Sequence, residues 1–150
     1  MNFEKLIFMN IFTSIKSNQN VTDIVLLLIR LFVGFAMLSH GFPKLQMLLS
    51  EGDIQFFNFL GLGTRTSLAL TVFAEFVCSI FLILGLFTRW AAFFLLFTMS
   101  IAGLVVHGQD SFDKKELSLL YLSIYTVILA LGPGKYSVDG MISRRKEQRW

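Results

Sequence analysis

The sequence predicts an all-α integral membrane protein, a four-helix bundle with both termini in the cytoplasm. Three observations predict this class: a high apolar content, four long apolar runs, and an uneven distribution of Lys and Arg among the connections. Of the 150 residues, 55% are hydrophobic and 15% are charged, and the mean hydropathy is +0.68. Because a soluble domain carries about 25% charged residues, this composition favours a chain that lies mostly in lipid.

The four apolar runs have lengths suited to membrane helices, because about 20 helical residues cross a hydrocarbon core of ~30 Å. They extend over about 24–43, 67–86, 90–107 and 116–131, and the last is the shortest. Residues 23–134 are therefore the predicted membrane domain. A cytoplasmic lead-in at 1–22 precedes it, and a basic cytoplasmic tail at 135–150 follows it.

The connections give the orientation of the bundle. Four spans place both termini on one side, and the positive-inside rule assigns the side richer in Lys and Arg to the cytoplasm. The terminal side carries Lys5, Lys16, Arg89, Lys135, Arg144, Arg145, Lys146 and Arg149, and the other side carries Lys44, Arg65, Lys114 and Lys115. Both termini are therefore predicted to be cytoplasmic.

Turn-forming residues mark the connections. Gly132, Pro133 and Gly134 end the fourth run, because proline and its flanking glycines do not prolong a helix. The long connector between Gly52 and Gly61 is rich in phenylalanine. It predicts either a short helix at the interface or an ordinary packed loop.

Polar residues on the first run share one helical face. At about 100° per residue, Arg30, His40 and Lys44 fall within an arc of roughly 80°. Gly34 and Gly41 lie on or beside that face, where small residues let a neighbouring helix approach closely. A charge at the centre of a membrane helix costs roughly 2.5–3.5 kcal/mol, so this face is expected to have a function or a partner.

Glu75 lies near the middle of the second run, within "LALTVFAEFVCSIFLILG". A carboxylate at that depth must be protonated or paired. Arg30 and Glu75 differ in depth by about one helical turn, counted from the cytoplasmic ends of their helices. The sequence therefore predicts an Arg30–Glu75 ion pair inside the membrane.

Together with the Arg30–Glu75 pair at mid-depth, the polar residues near the outer boundary predict a pocket. In it, Glu75 and His40 handle protons, and the pocket is completed by Arg30, Lys44, His107 and Glu116. A quinone-like or small polar ligand suits such a pocket. His40, His107 and Glu116 are also metal-ligating residue types, but no ligand spacing within one helix supports a metal site, and no metal is expected.

A structural alternative stays open for the same residues. The Arg30–Glu75 pair would then only fix the helix register, while Lys44 and Glu116 extend to water. Cys78 is the single cysteine, so an internal disulfide and a paired-cysteine redox centre are excluded, and a packing role is expected. The scattered positive charge does not suggest nucleic-acid binding.

Three segments carry a resemblance to a known family. "LLLIRLFVGFAMLSHGFPKL" resembles the first helix of the DoxX family, with its Arg, Gly, His-Gly and Lys. "ALTVFAEFVCSIFLILGLFTRWAA" resembles the second, and "ELSLLYLSIYTVILALGPGKYSVDG" resembles the fourth with its Gly-Pro-Gly-x-x-Ser-x-Asp ending. The resemblance implies a small inner-membrane protein of bacteria, linked to respiratory or sulfur-stress redox. It also adds Asp139 as a structural residue.

Three functions follow as hypotheses. The first is a quinone-linked membrane subunit of a redox system, whose electrons come from a protein partner or from the substrate. The second is a non-catalytic membrane anchor or assembly factor, in which the basic tail meets anionic lipids or a partner. The third and weaker one is a small-molecule transporter, for which a homo-oligomer would have to form the path.

Overall fold

The computed structural model describes residues 18–147, except for the side chain of Glu147. Within that range the chain forms helices and no strand. Most of the predicted lead-in and the end of the basic tail, including Arg149, lie outside the described residues. The prediction of an all-α chain is confirmed for the part that is described.

Five helices organise the described residues. They are α1 (Gln19–Leu49), α2 (Thr64–Leu84), α3 (Thr88–Val106), α4 (Phe112–Leu131) and α5 (Val138–Glu147). Among the helices in this range, α1, α2 and α3 are long and apolar enough to cross a membrane. The chain is therefore a membrane protein by the length and composition of these helices. Helix α4 has 20 residues, but charged side chains occupy its first turns.

Helix α1 continues beyond the predicted end of the first run. It passes through Pro43 and ends at Leu49, so its 31 residues extend over about 46 Å. Proline inside a helix removes one backbone hydrogen bond and costs about 3 kcal/mol. Here α1 packs against α2 around this position, and that contact holds the helix together across the proline.

Helices α2 and α3 each contain a π-helical segment. In α2 it covers Phe73–Cys78, and in α3 it covers Ala102–Val106. Such segments place one additional residue in a turn and occur frequently at functional sites. Both segments contribute to the candidate site described below.

The connector between α1 and α2 is mostly irregular. Its helical part is a single 3₁₀ turn, Phe59–Gly61, in which Leu60 has a positive φ of 50°. Two hydrogen bonds to side chains hold this turn, from the Phe59 amide to Ser67 Oγ at 3.0 Å and from the Gly63 amide to Asn58 Oδ1 at 2.9 Å. The connector is thus closer to the predicted packed loop than to an interfacial helix.

The core lies where the four long helices meet. Helix α2 packs against α1 and α3, and α3 packs along α4. The buried side chains of this core are Val33, Met37, Cys78, Leu82, Ala91, Ala92, Leu95, Met99, Tyr121, Tyr125 and Ile128. Cys78 is 1% exposed, which agrees with the packing role expected for it.

The chain folds back at one end of the molecule. After α4 ends at Leu131, Gly132 and Gly134 take positive φ values of 87° and 72° and reverse the backbone. The Lys135 amide then donates to Asp23 Oδ1, near the start of α1, at 2.9 Å. We call this the terminal end. The distal end carries the α1–α2 connector and the α3–α4 connection.

Candidate functional site

A buried ion pair joins α1 and α2. Lys44 Nζ lies 2.5 Å and 2.6 Å from the two carboxylate oxygens of Glu75. The Glu75 side chain is 3% exposed, whereas that of Lys44 is 30% exposed. The carboxylate is therefore enclosed by protein, whereas the Lys44 side chain is only partly buried. Two of the three Lys44 N–H donors suffice for Glu75, which leaves one for another acceptor.

The Arg30–Glu75 pair predicted from the sequence is wrong. The Arg30 guanidinium donates instead to the carbonyl oxygens of Pro133 and Tyr136, the latter at 2.9 Å. A Cβ atom at Gly85 would lie 2.9 Å from Arg30 Cζ, so Arg30 is level with the end of α2. Counting depth from the start of the apolar run placed Arg30 too close to Glu75, because the first turns of α1 lie beyond the end of α2 at the terminal end.

The close approach of α1 to Glu75 depends on Gly41. A Cβ atom at this position would lie 2.7–2.8 Å from the backbone of Glu75 and Phe76. Any larger residue would push α1 away from the π-helical segment that carries Glu75. Lys44 lies three residues further along α1, so the contact at Gly41 brings its side chain within reach of the carboxylate.

Beside this ion pair lies an aromatic cleft between α2 and α3. Its volume is about 1100 Å³, slightly above the usual range for small-molecule pockets, and it is partly open. From Phe93 to His107 the α3 wall covers 14 residue steps, or about 21 Å. The apolar lining consists of Ile54, Phe56, Phe57, Phe59, Leu70, Phe73, Ala74, Phe93, Phe94, Phe97, Ile101, Ala102 and Val106.

The two walls of the cleft differ in polarity. Thr64, Ser67, Thr71 and Glu75 line it from α2, at spacings of three, four and four residues. These spacings place side chains on one face of a helix. The α3 wall is aromatic and aliphatic except for Thr98 and for His107 at its distal end. The α2 wall is therefore the more polar of the two, although Leu70, Phe73 and Ala74 of the same helix also line the cleft.

His107 marks the distal mouth of the cleft. Its Nδ1 lies 2.8 Å from Asp110 Oδ2, and its side chain is 39% exposed. The hydrogen bond from His107 lowers the pKa of the Asp110 carboxyl below its ordinary value, and the positive charge of Lys114 acts in the same direction. Because an ionised carboxylate only accepts, Nδ1 carries the proton, and Nε2 stays available to the cleft.

Two further predicted pocket residues lie outside this cleft. His40 is exposed, and its ring contacts that of Tyr121 edge-to-face at 6.3 Å, on the side of α1 that faces α4. Glu116 is exposed near the start of α4. Neither residue lines the cleft, so of the predicted set the structure brings together Lys44, Glu75 and His107.

The predicted structural residues lie close to helix contacts and turns. A Cβ atom at Gly34 would lie 2.5 Å from Ile83 of α2, and one at Gly132 would lie 3.3 Å from the Arg89 guanidinium. Asp139 accepts from the amides of Phe87 and Thr88 at 3.0 Å and 2.8 Å, where α3 begins.

Sequence reasoning left several groups of the site out of the predicted pocket, although Ser67 and Thr71 share a helical face with Glu75. The hydroxyl residues of α2 had a detectable signal, since their spacing continues to Glu75. Asp110 had a weaker sequence signal, because it lies three residues after His107. Tyr125 had no such signal in the sequence. Its side chain is 0% exposed, and its hydroxyl has no hydrogen-bond partner among the described residues. No cluster of three or more metal-ligating side chains occurs within residues 18–147.

Comparison with known protein families decides the classification. The DoxX family model matches residues 25–108, which is more than half of the chain. The chain belongs to the DoxX family. No match was found among curated proteins or among solved structures.

The DoxX match covers the residues that build the candidate site. It begins in α1, includes Lys44, Glu75 and the cleft, and ends just after His107. Helix α4 and the Gly-Pro-Gly turn lie beyond the matched range. In this DoxX protein the family region therefore contains both walls of the cleft and its ion pair.

Proposed function

We propose that this protein is a quinone-linked membrane subunit of a redox system in the bacterial inner membrane. In this proposal α1 to α4 all cross the membrane as a four-helix bundle, and both termini are cytoplasmic. The observation that carries the proposal is the Lys44–Glu75 ion pair at the inner part of an aromatic cleft. A ligand with a flat apolar body and a polar head complements such a cleft.

The lining residues fit a quinone chemically. Aromatic side chains such as Phe93, Phe94 and Phe97 offer ring faces and edges to a planar ring. Lys44 has an N–H donor left for a ring carbonyl, and the cleft is long enough for part of an isoprenoid tail. When bound, a quinone would supply two-electron chemistry coupled to proton transfer at its carbonyl oxygens.

The roles of the ionisable residues follow from their burial. Glu75 is the group that takes up or releases a proton beside the ligand, and Lys44 orients it and binds the polar head. None of the side chains that line the cleft carries electrons. A protein partner with a redox centre, or the substrate itself, supplies them.

The bundle topology has its own support. The start of α1, the α2–α3 turn and the segment after α4 lie together at the terminal end. Arg89, Lys135, Arg144, Arg145 and Lys146 belong to that end by their positions in the chain. An excess of Lys and Arg at one membrane face is the mark of the cytoplasmic side.

Quinone binding by the full-length protein in detergent tests the proposal. The protein is purified from membranes, extracted for quinone, and titrated with decylubiquinone while its thermal unfolding is followed. We expect bound quinone after purification, and a Kd raised about tenfold in Glu75→Gln and Lys44→Met, equivalent to about 1.4 kcal/mol. The matched control Glu116→Gln, which changes an exposed carboxylate outside the cleft, should bind like the wild type.

Two results would contradict the quinone proposal. One is purification without quinone together with no saturable binding of decylubiquinone. The other is unchanged binding in Glu75→Gln and Lys44→Met. Unfolding of each variant without ligand is measured in parallel, so that a loss of folding is not counted as a loss of binding.

A membrane anchor is the second candidate function, and the C-terminal segment favours it. Arg30 and Asp23 hold the turn that leads into α5, and α5 ends with Arg144, Arg145 and Lys146. A helix held in this way presents a basic surface to anionic lipids or to a protein partner. If the protein is an anchor, Glu75→Gln and Lys44→Met lower the amount of folded protein. Neither the wild type nor these variants then bind quinone.

A further inference from the structure

We infer that the polar wall of α2 is a hydrated track through which Glu75 exchanges protons with the distal side of the membrane. The track consists of Thr64, Ser67 and Thr71, and it ends at Glu75. It needs no bound quinone, so it goes beyond the proposed function and can be tested separately from it.

The spacing of the four residues carries the first step. All of them line the same cleft, and they follow one another at three, four and four residues along α2. From Thr64 to Glu75 the helix rises about 16 Å, or half of a hydrocarbon core. The wall therefore connects the distal surface with a carboxylate that is 3% exposed.

The hydroxyl groups on this wall have capacity left for water. Ser67 Oγ donates to the Gly63 carbonyl at 2.8 Å and accepts from the Phe59 amide at 3.0 Å. Thr71 Oγ1 donates to the Ser67 carbonyl at 2.9 Å. Since a hydroxyl oxygen has two acceptor positions, both residues can still accept a hydrogen bond from a water molecule in the cleft.

The opposite wall confines that water to α2. Phe94, Phe97 and Ile101 face the cleft from α3 and offer no hydrogen bond. Thr98 is the polar exception near them, and its hydroxyl donates to the Phe94 carbonyl at 2.9 Å. Water in a protein interior needs two to four polar partners, and only the α2 wall supplies a continuous series of them.

The mouth of the cleft provides contact with the aqueous phase. His107 and Gln55 line the cleft at its distal end, and Gln55 is exposed. His107 uses Nδ1 for its hydrogen bond to Asp110, so its Nε2 is the ring nitrogen left to accept a hydrogen bond from water at the mouth.

The charged and titratable groups around Glu75 come from two other helices. Lys44 of α1 contacts both carboxylate oxygens, and Tyr125 of α4 lies within electrostatic range. The α3 residues lining this part of the cleft, from Phe93 to Thr98, are uncharged. A rival route would pass through the ring contacts from Tyr125 to Tyr121 and on to His40.

The chemical step is an acid–base exchange with water. Glu75 gains a proton from the nearest water molecule, each water along the track passes one proton on, and bulk water supplies the last one. Release runs through the same groups in reverse. No electron moves and no other reactant is needed.

Infrared difference spectroscopy after a step from neutral to acidic pH tests the track. The carboxyl band of Glu75 is assigned as the one lost in Glu75→Gln, and its rate of change is measured in the full-length protein. We expect Thr71→Val, which removes one hydroxyl of the track, to slow protonation of Glu75 by about tenfold or more. The matched control Thr98→Val changes the opposite wall and should keep the wild-type rate.

Two further measurements test from which membrane face protons reach Glu75 and through which residues they pass. In proteoliposomes oriented by a C-terminal tag, a pH step on the face opposite the tag should protonate Glu75 faster than a step on the tagged face. Tyr125→Phe should keep the wild-type rate, and removing its unpaired hydroxyl should not lower thermal stability. An unchanged rate in Thr71→Val, or slowing in Tyr125→Phe instead, overturns the inference, as does faster access from the tagged face.

Discussion

Gly41 shows how a single atom decides whether the site can form. Glu75 needs a cation, and the α1 cation that reaches it is Lys44, three residues after Gly41. The missing Cβ lets α1 lie against the backbone of the π-helical segment. Arg30 is held instead by the turn after α4, where its two terminal nitrogens donate to the Pro133 and Tyr136 carbonyls.

Replacing Gly41 by alanine should destabilise the protein. The new Cβ would lie 2.7 Å from the Glu75 carbonyl carbon, so the backbones must separate. Overpacking of this kind costs about 1–3 kcal/mol. Unfolding by denaturant in mixed micelles measures the change.

Gly52→Ala is the control for Gly41→Ala, because nothing lies within 4 Å of its added Cβ. It should unfold like the wild type. Equal stability of Gly41→Ala and the wild type would mean that α1 and α2 are not in contact at this position.

At the scale of elements, the start of α3 depends on a residue from a distant part of the chain. Phe87 has a positive φ of 47°, which is strained for a residue with a side chain. Asp139 accepts from the amides of Phe87 and Thr88 and from the Thr88 hydroxyl, the last at 2.9 Å. A carboxylate at a helix N-terminus supplies both the cap and the favourable charge.

Asp139→Ala should lower the stability of the protein by about 0.5–2 kcal/mol, the range measured for lost helix caps. Asp139→Asn should cost less, since one acceptor oxygen remains while the charge is lost. In thermal unfolding of the purified protein, the melting temperature should fall from the wild type to Asp139→Asn and further to Asp139→Ala. Asp53→Ala, in the exposed connector, serves as control, and a melting temperature for Asp139→Ala equal to that of the control would contradict this cap.

At the scale of the whole molecule, contacts at the terminal end place the start of α1 and the segment after α4 on the same side of the bundle. Asp23 and Arg30 of α1 bind the segment after α4, and the Asp139 amide donates to the Gly85 carbonyl at 2.9 Å. The start of α1 and the start of α5 therefore lie at the same end of the helices. Gln109, in the α3–α4 connection, lies at the opposite end of the helices.

Labelling with a membrane-impermeant maleimide tests this arrangement in cells. Single cysteines are placed at Lys146 and Gln109 in a Cys78→Ser background. Gln109→Cys should react from outside intact cells, and Lys146→Cys should react only after the membrane is opened. Labelling of both from the same side would contradict a bundle whose terminal end is cytoplasmic.

The sequence alone determined the class of the protein and part of its site. Composition and apolar runs predicted membrane helices, because burial in lipid requires about 20 apolar residues in succession. The rule that a mid-membrane carboxylate needs a partner identified Glu75. The motifs in the first two runs predicted the DoxX family, and the family match supports them.

Only the tertiary structure decided which residues meet. Periodicity places residues on a face of a helix, but the relative depth and rotation of two helices depend on packing at residues such as Gly41. For that reason Glu75 pairs with Lys44 and not with Arg30, and His40 lies outside the cleft although the sequence places it on the same helical face as both cations. Lys44 and Glu75 lie 31 residues apart in the chain. They meet because the backbones of α1 and α2 are in contact, and no local sequence pattern encodes that contact.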